Sequence, residues 1–169
     1  MNNLLRLRDG LATHEPGDRW TLIKDPSGDL PCGPLILPLA LWLKRRIEHH
    51  PVFDAVWLGP DDEVESLAPW LNRLPMIALE FPNFRDGRAY SQAYLLRTRL
   101  GWAGELRAIG DVLRDQLSHM RQCGFDAFAV REDKCAEDAL KGLAGMSVTY
   151  GRSAIEPRPL FRRRLAGEA

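Results

Sequence analysis

From Leu35 onward, short apolar runs alternate with longer stretches in which apolar residues recur every three or four positions. The short runs cover residues 35–37, 53–58, 75–81, 105–109 and 125–130. They show little polar alternation, as strands do when both faces of a sheet are covered. The intervening stretches predict helices over 38–49, 61–73, 88–100, 111–123 and 134–143. Pro38 suits a first helical turn, where its missing N–H costs nothing. Val64, Leu67, Ala68 and Leu71 fall on one helical face behind an Asp61 cap, and Pro69 predicts a kink or an early break there. Ala89, Ala93, Leu96 and Leu100 line the next helix, and Leu113, Leu117 and Met120 the one after it. Gly101 and Gly124 stop these two helices. Residues 147–150 are a candidate last strand.

This alternation predicts an α/β fold: a single domain of alternating strands and helices with a parallel sheet and right-handed crossovers. An open three-layer sheet and a half-barrel of β/α units both fit the pattern. Residues 1–34 are rich in turn formers (Asp9-Gly10, Pro16-Gly17-Asp18, Pro26-Ser27-Gly28-Asp29) and read as an irregular N-terminal arm. A small hairpin and a short strand over 20–23 are its only regular candidates. The α/β domain then spans 35–150, and 151–169 is a basic C-terminal tail. Its Arg158, Arg162, Arg163 and Arg164 read as a frayed end or as a docking element for an acidic partner.

Composition narrows the function classes. The chain has 169 residues, 45% apolar and 27% charged, which excludes a disulfide knot, a collagen-like rod and a disordered tail. Lys plus Arg and Asp plus Glu both total 23, so bulk polyanion binding is excluded and no nucleic acid partner is expected. The longest apolar run, 34–43, is too short to span a membrane and reads as a strand entering a helix. No stretch has signal-peptide order. Cys32, Cys123 and Cys135 form no C-x-x-C motif and read as small buried hydrophobes of a reduced, cytoplasmic protein.

In parallel α/β sheets ligands gather at the carboxyl ends of strands. That rule selects the loops at 59–61, 81–87, 110–111 and 131–134. The second is the longest and reads Phe81-Pro82-Asn83-Phe84-Arg85-Asp86-Gly87-Arg88-Ala89-Tyr90-Ser91-Gln92. Arg85 and Arg88 flank the start of a helix and Ser91 lies in its first turn, so the loop is either an anion site or a helix capped by Asp86 with solvated arginines. Glu105 and Arg107 alternate with apolar residues on a strand that should be central, where a charge needs a partner. Glu80 is the candidate, so Arg107 is an ion-paired residue or a polar pocket floor. Asp111 reads as a helix N-cap and Gln116 as a buried, hydrogen-bonded amide. Asp111 and Glu80 are the weak candidates for general acid or base.

No dinucleotide fingerprint, P-loop, nucleophile elbow or zinc-ligand spacing is present. No cofactor or metal is therefore indicated, and the reading leans away from an independent catalytic activity. His49-His50 reads as a helix-end pair favoured by the dipole.

The string from Phe81 to Gln92, the string Gly104-Glu105-Leu106-Arg107-Ala108-Ile109-Gly110-Asp111-Val112-Leu113-Arg114-Asp115-Gln116-Leu117, and Cys123-Gly124-Phe125-Asp126-Ala127-Phe128 resemble the bacterial family called domain of unknown function 934. Pro38-Leu39-Ala40-Leu41-Trp42-Leu43 fits that family's early segment, and the resemblance runs over roughly 35–150. Ala89 departs from it, standing where the family usually has glycine. The resemblance implies a small proteobacterial protein of a kind often labelled probable oxidoreductase without demonstrated chemistry. Its relatives are commonly encoded beside the sulfite reductase hemoprotein. It thus implies an accessory or interaction protein of assimilatory sulfite reduction, partnered by the hemoprotein or its electron donor, with Phe84, Arg85 and Arg88 as docking loop. The other reading is a small-anion enzyme acting on a sulfur oxyanion or phosphorylated metabolite, held by Arg85, Arg88 and Arg107.

Overall fold

The computed structural model describes residues 1–48, 53–144 and 148–167. His49 and His50 lie outside them, as does Ser147. The first 34 residues hold more structure than a loose arm. β1 (Leu4–Arg8) and β2 (Leu11–His14) form the expected hairpin around Asp9-Gly10, both at positive φ, and β3 (Thr21–Leu22) is the expected short strand. The strands that follow are β4 (Leu35–Pro38), β5 (Ala55–Leu58), β6 (Met76–Phe81), β7 (Glu105–Gly110) and β8 (Ala127–Ala129). The α-helices are α1 (Leu39–Ile47), α2 (Arg88–Thr98), α3 (Leu117–Cys123), α4 (Ala136–Leu140) and α5 (Leu160–Leu165).

Two predicted helices differ in detail, and the tail adds a helix of its own. Val64–Arg73 winds as a 3-10 helix. Pro69 has no N–H to donate, which breaks an α ladder midway. A period of three brings Val64 and Leu67 to the sheet with Trp70 partly covered behind them, and turns Ala68 to solvent. Asp61 is not its cap: Glu63 occupies that position, and the neighbouring Asp62 carboxylate accepts the Gly59 N–H at 2.7 Å. The helix expected from Asp111 starts later, with a 3-10 turn at Arg114–Gln116 leading into α3. Leu113 is extended, and the Val112 carbonyl before it accepts the Arg131 N–H beyond β8. The basic tail is not frayed. It folds into α5 with Leu160 buried, and Leu160 N–H donates to the Tyr150 carbonyl. Residues 148–150 carry no strand.

The sheet has eight strands in the order β2-β1-β8-β7-β6-β5-β4-β3. β3 to β8 are parallel neighbours in chain order, and β1 joins β8 antiparallel, so the sheet is mixed but mostly parallel. The two edge strands are β2 and β3, which only residues 15–20 connect. Seven Cα steps reach about 27 Å at most. Eight strands laid flat would put the edges roughly 34 Å apart. The sheet must therefore curl, and it forms a half-barrel.

Alternate residues of each strand face opposite sides. Leu37, Val56, Leu58, Ile77, Leu79 and Leu106 pack in one core with Trp42 of α1, Ala93 and Leu96 of α2, and Leu117 and Met120 of α3. Ile36, Ala55, Met76, Ala78 and Ile109 form a smaller core on the concave side, closed by Trp20 from the arm. The arm is tied across this side by Trp57 Nε1, which donates to the Ile23 carbonyl at 2.9 Å, and by Lys24 Nζ, 2.9 Å from Glu80 Oε1.

Arg107 lies on the concave side with its side chain fully buried. Its partners are Asp18 of the arm, itself 1% exposed, and Glu105, whose Oε1 it meets at 2.6 Å and 2.9 Å. Arg6 joins the same network through Glu15, Glu105 and Asp18, and Arg8 reaches Glu15 at 3.3 Å. Three arginines thus face three carboxylates. The expected Glu80–Arg107 pair does not form, because Arg107 lies opposite Ala78 while Glu80 is two residues further along β6, opposite Ile109, and binds Lys24.

Removing one partner of a buried pair leaves a charge without compensation. Asp18→Ala is expected to lower stability by about 3 kcal/mol in urea unfolding, and the Asp18→Ala, Arg107→Met double variant by clearly less.

Candidate functional site

The parallel strands deliver their carboxyl ends to one rim of the half-barrel, and the four loops selected by sequence meet there. Asp111 joins two of them. Its Oδ2 accepts the Phe84 N–H at 2.8 Å and its Oδ1 accepts a hydrogen bond from Arg131 Nη1 at 2.8 Å. Arg131 also grips Asp133 through Nε and Nη2, at 2.9 Å and 2.8 Å. The Arg131 guanidinium, helped by the Phe84 amide, holds the Asp111 carboxyl below the usual carboxylate range. Asp111 is thus a clamp between loops and not a helix cap.

Gly110 lets the clamp reach. Its φ is +92, and a Cβ there would stand 2.3 Å from the Phe81 carbonyl oxygen, the atom that accepts the Asp111 N–H at 2.8 Å. From the other side Gln116 Nε2 donates to the Phe84 carbonyl at 2.7 Å. Gln116 is half-buried, and its amide nitrogen is the bonded end. Both main-chain polar groups of Phe84 are therefore held, while the residue is 47% exposed. The exposed Arg85 lies with its guanidinium carbon 5.4 Å from that ring's centre.

The remaining loop residues have separate duties. Asp86 precedes the N-cap, Gly87, and its Oδ1 accepts the Arg88 N–H at 3.1 Å. Arg88 turns back on Asp86, with Nη2 to Oδ2 at 2.7 Å, and reaches Asp61. That pairing lowers the Asp86 pKa. Ala89 is buried in the main core, so its methyl faces the sheet and not the rim. Tyr90 packs edge-on against Phe81 at 5.0 Å and against His119 at 4.6 Å. Burial, with Cys123 and Asp115 nearby, pushes its phenol up to about 12. Ser91 is exposed. Gln92 is buried and staples the β5 loop, donating to the Gly59 and Asp62 carbonyls at 2.9 Å each.

Arg85, Arg88 and Arg107 do not converge. Arg88 belongs to the Asp86–Asp61 cluster, Arg107 to the concave network with Asp18 and Glu105, and Arg85 to Phe84. Glu80 and Asp111 each hold a cation, Lys24 and Arg131. Beside the rim, a cavity of about 500 Å³ has Met1, Leu22, Ile109 and Ala129 as its floor and Arg131 and Asp133 at its edge.

Two structural residues escaped the sequence reading. Arg97 of α2 donates to the carbonyls of Gly124, Trp102 and Gly104 at 2.7–2.8 Å and pairs with Asp126 at 2.8 Å. Asp126 in turn accepts the Leu106 N–H at 2.8 Å. The available signal was an arginine four positions after Ala93, on the buried side of the helix. The cysteines also differ from expectation: Cys32 and Cys135 are exposed and Cys123 is half-buried, its thiol pushed up by burial. Among the described residues no helix is long and apolar enough to cross a membrane.

The clamp has a pH sense. A carboxyl whose folded pKa lies below its unfolded value gives its full stabilisation above the unfolded pKa and loses it as pH falls through the folded one. Acid below the usual carboxylate range should therefore loosen the Asp111 clamp. Limited trypsin digestion at neutral pH tests the same contact: Asp111→Ala should be nicked after Arg85 about tenfold faster than the parent chain, with overall unfolding little changed.

No curated protein matches the chain. The family described as a bacterial protein of unknown function, DUF934, matches residues 55–161. This stretch begins with β5, ends in α5 and contains Asp111, Gln116, Phe84, Arg97 and Asp126. It leaves out the arm and the Pro38–Leu43 segment that also suggested the resemblance. With most of its length matched, the chain belongs to the DUF934 family of bacterial proteins of unknown function.

Proposed function

We propose that this protein is an accessory of assimilatory sulfite reduction that works by docking, with the rim loop at Phe84 and Arg85 seated on the sulfite reductase hemoprotein or its electron donor. The observation that carries the reading is the state of Phe84: its backbone is fixed by Asp111 and Gln116, while its ring stands in solvent under Arg85. Fixing a loop before binding reduces the entropy lost on association. Aromatic and arginine side chains are the commonest energetic centres of protein interfaces. The choice of partner rests on the family resemblance. The small-anion reading is weaker, since Arg88 and Arg107 are already matched by carboxylates and only Arg85 is left to receive an anion.

The test is co-purification with the hemoprotein from the same organism, and titration of the purified pair. Phe84→Ala with Arg85→Glu should weaken association at least about tenfold without lowering the melting temperature. Absence of binding at micromolar concentration to both the hemoprotein and its electron donor would overturn the reading. Stabilisation by sulfite, sulfate or phosphate that is lost in Arg85→Glu would favour the anion site instead.

A further inference from the structure

We infer that the C-terminal segment forms a second interaction surface, separate from the Phe84 loop and shaped for an acidic protein partner with apolar side chains among its carboxylates. The chain is neutral overall, yet residues 148–169 hold five arginines, no lysine, and only Glu156 and Glu168 as acids. The remaining 147 residues carry the balancing negative charge. The arginines are joined by exposed apolar residues: Tyr150, Ile155, Phe161 and Leu165 are 74%, 55%, 50% and 86% exposed. A surface of mixed arginine and large apolar side chains, without lysine, has the composition of a protein–protein interface core.

This segment is held in place. Ala154 N–H donates to the Gln122 carbonyl of α3, at 2.9 Å, and Arg163 Nη2 donates to the Thr149 carbonyl at 2.8 Å. Leu160 and Ser153 are buried. Between the segment and α3 is a cleft of about 380 Å³ with Arg121 and Arg163 in its wall, and Glu156 is its one acid among the described residues. Arg163 Nε is buried there without a partner among the described residues. A carboxylate entering the cleft meets two guanidinium groups, while Ile155 supplies an apolar part of its wall.

A membrane surface fits less well. α5 has six residues, and its buried Leu160 already faces the protein, so the helix has no whole apolar side to lay into lipid. Nucleic acid fits less well because the other 147 residues are net acidic and would be repelled along an extended polyanion.

The test uses the full chain and three labelled probes: a short peptide alternating Glu with Phe and Leu, vesicles containing phosphatidylglycerol, and single-stranded DNA. The acidic-apolar peptide should bind saturably at micromolar concentration, at least about tenfold more tightly than a Glu-Ser control peptide and than either other probe. Arg162→Glu with Arg164→Glu, both on exposed side chains, should weaken it at least about tenfold, and Phe161→Ser should do so through apolar contact alone. Circular dichroism and melting temperature should stay those of the parent chain. The Phe84→Ala, Arg85→Glu variant should bind the peptide normally, which separates this surface from the rim loop. No saturable peptide binding, binding equal in the tail variants, equal binding of the Glu-Ser control, or stronger binding to vesicles or DNA would each overturn the inference.

Discussion

The concave face of a half-barrel is the constraint on which the rest of this structure depends. Right-handed crossovers between consecutive parallel strands place the connecting helices on the convex side. The opposite face carries Ile36, Ala55, Met76, Ala78 and Ile109 and would otherwise meet water. A closed barrel solves that problem with its own opposing strands. Here the N-terminal arm solves it, by running β1 and β2 onto one edge, β3 onto the other, and carrying Trp20 and Asp18 across the gap. Burial of Arg107 follows from the same geometry. A guanidinium in the middle of a central strand is tolerable only because the arm brings Asp18 to it, so the ion network and the arm's path specify each other.

The convex core has a counterpart in Arg97 and Asp126. Three carbonyls and one carboxylate around a single guanidinium connect the end of α2, the turn before β7 and the residue that closes α3. A position on the buried side of the helix is thus occupied by a group that neutralises loop backbone. With both ends of β7 anchored, the rim loops rest on a fixed base. The contact of Asp111 with Phe84 can then hold an exposed ring in one place, which neither a mobile loop nor an isolated hydrogen bond would do.

Periodicity was a good guide to the strands and to α1 and α2, because burial on both sheet faces and on one helix stripe leaves a direct mark on the residue order. It was a poor guide to the 3-10 helix at Val64–Arg73, where Pro69 changes the period and sends Ala68 outward while Trp70 turns partly inward. The arm was hardest to read. Its strands are short, its turn residues are many, and its role comes from partners about 90 positions away, such as Arg107 for Asp18. Loop selection at the carboxyl ends of strands picked out Asp111 and the Phe84 loop, which the structure brings together. It could not assign their bonds, since Asp111 has the sequence profile of a helix cap and becomes a clamp only because Gly110 lets the chain pass close to Phe81.

A zero net charge conceals how charge is arranged. Most carboxylates of this chain lie within reach of a guanidinium or ammonium group, as in the Arg131–Asp111–Asp133, Arg88–Asp86–Asp61 and Arg6–Glu15–Glu105 clusters. Such pairs add little affinity for anything outside, because each charge is already answered. Among the described residues, Arg85 above Phe84 and Arg162 beside Phe161 are arginines set against exposed aromatic rings. Chemistry on a small substrate needs charges converging on one point, and the arginines proposed for that purpose belong to separate clusters. Recognition of another protein needs fixed, separated anchors on the outside of the fold, and the two proposed docking surfaces both rest on elements held by hydrogen bonds.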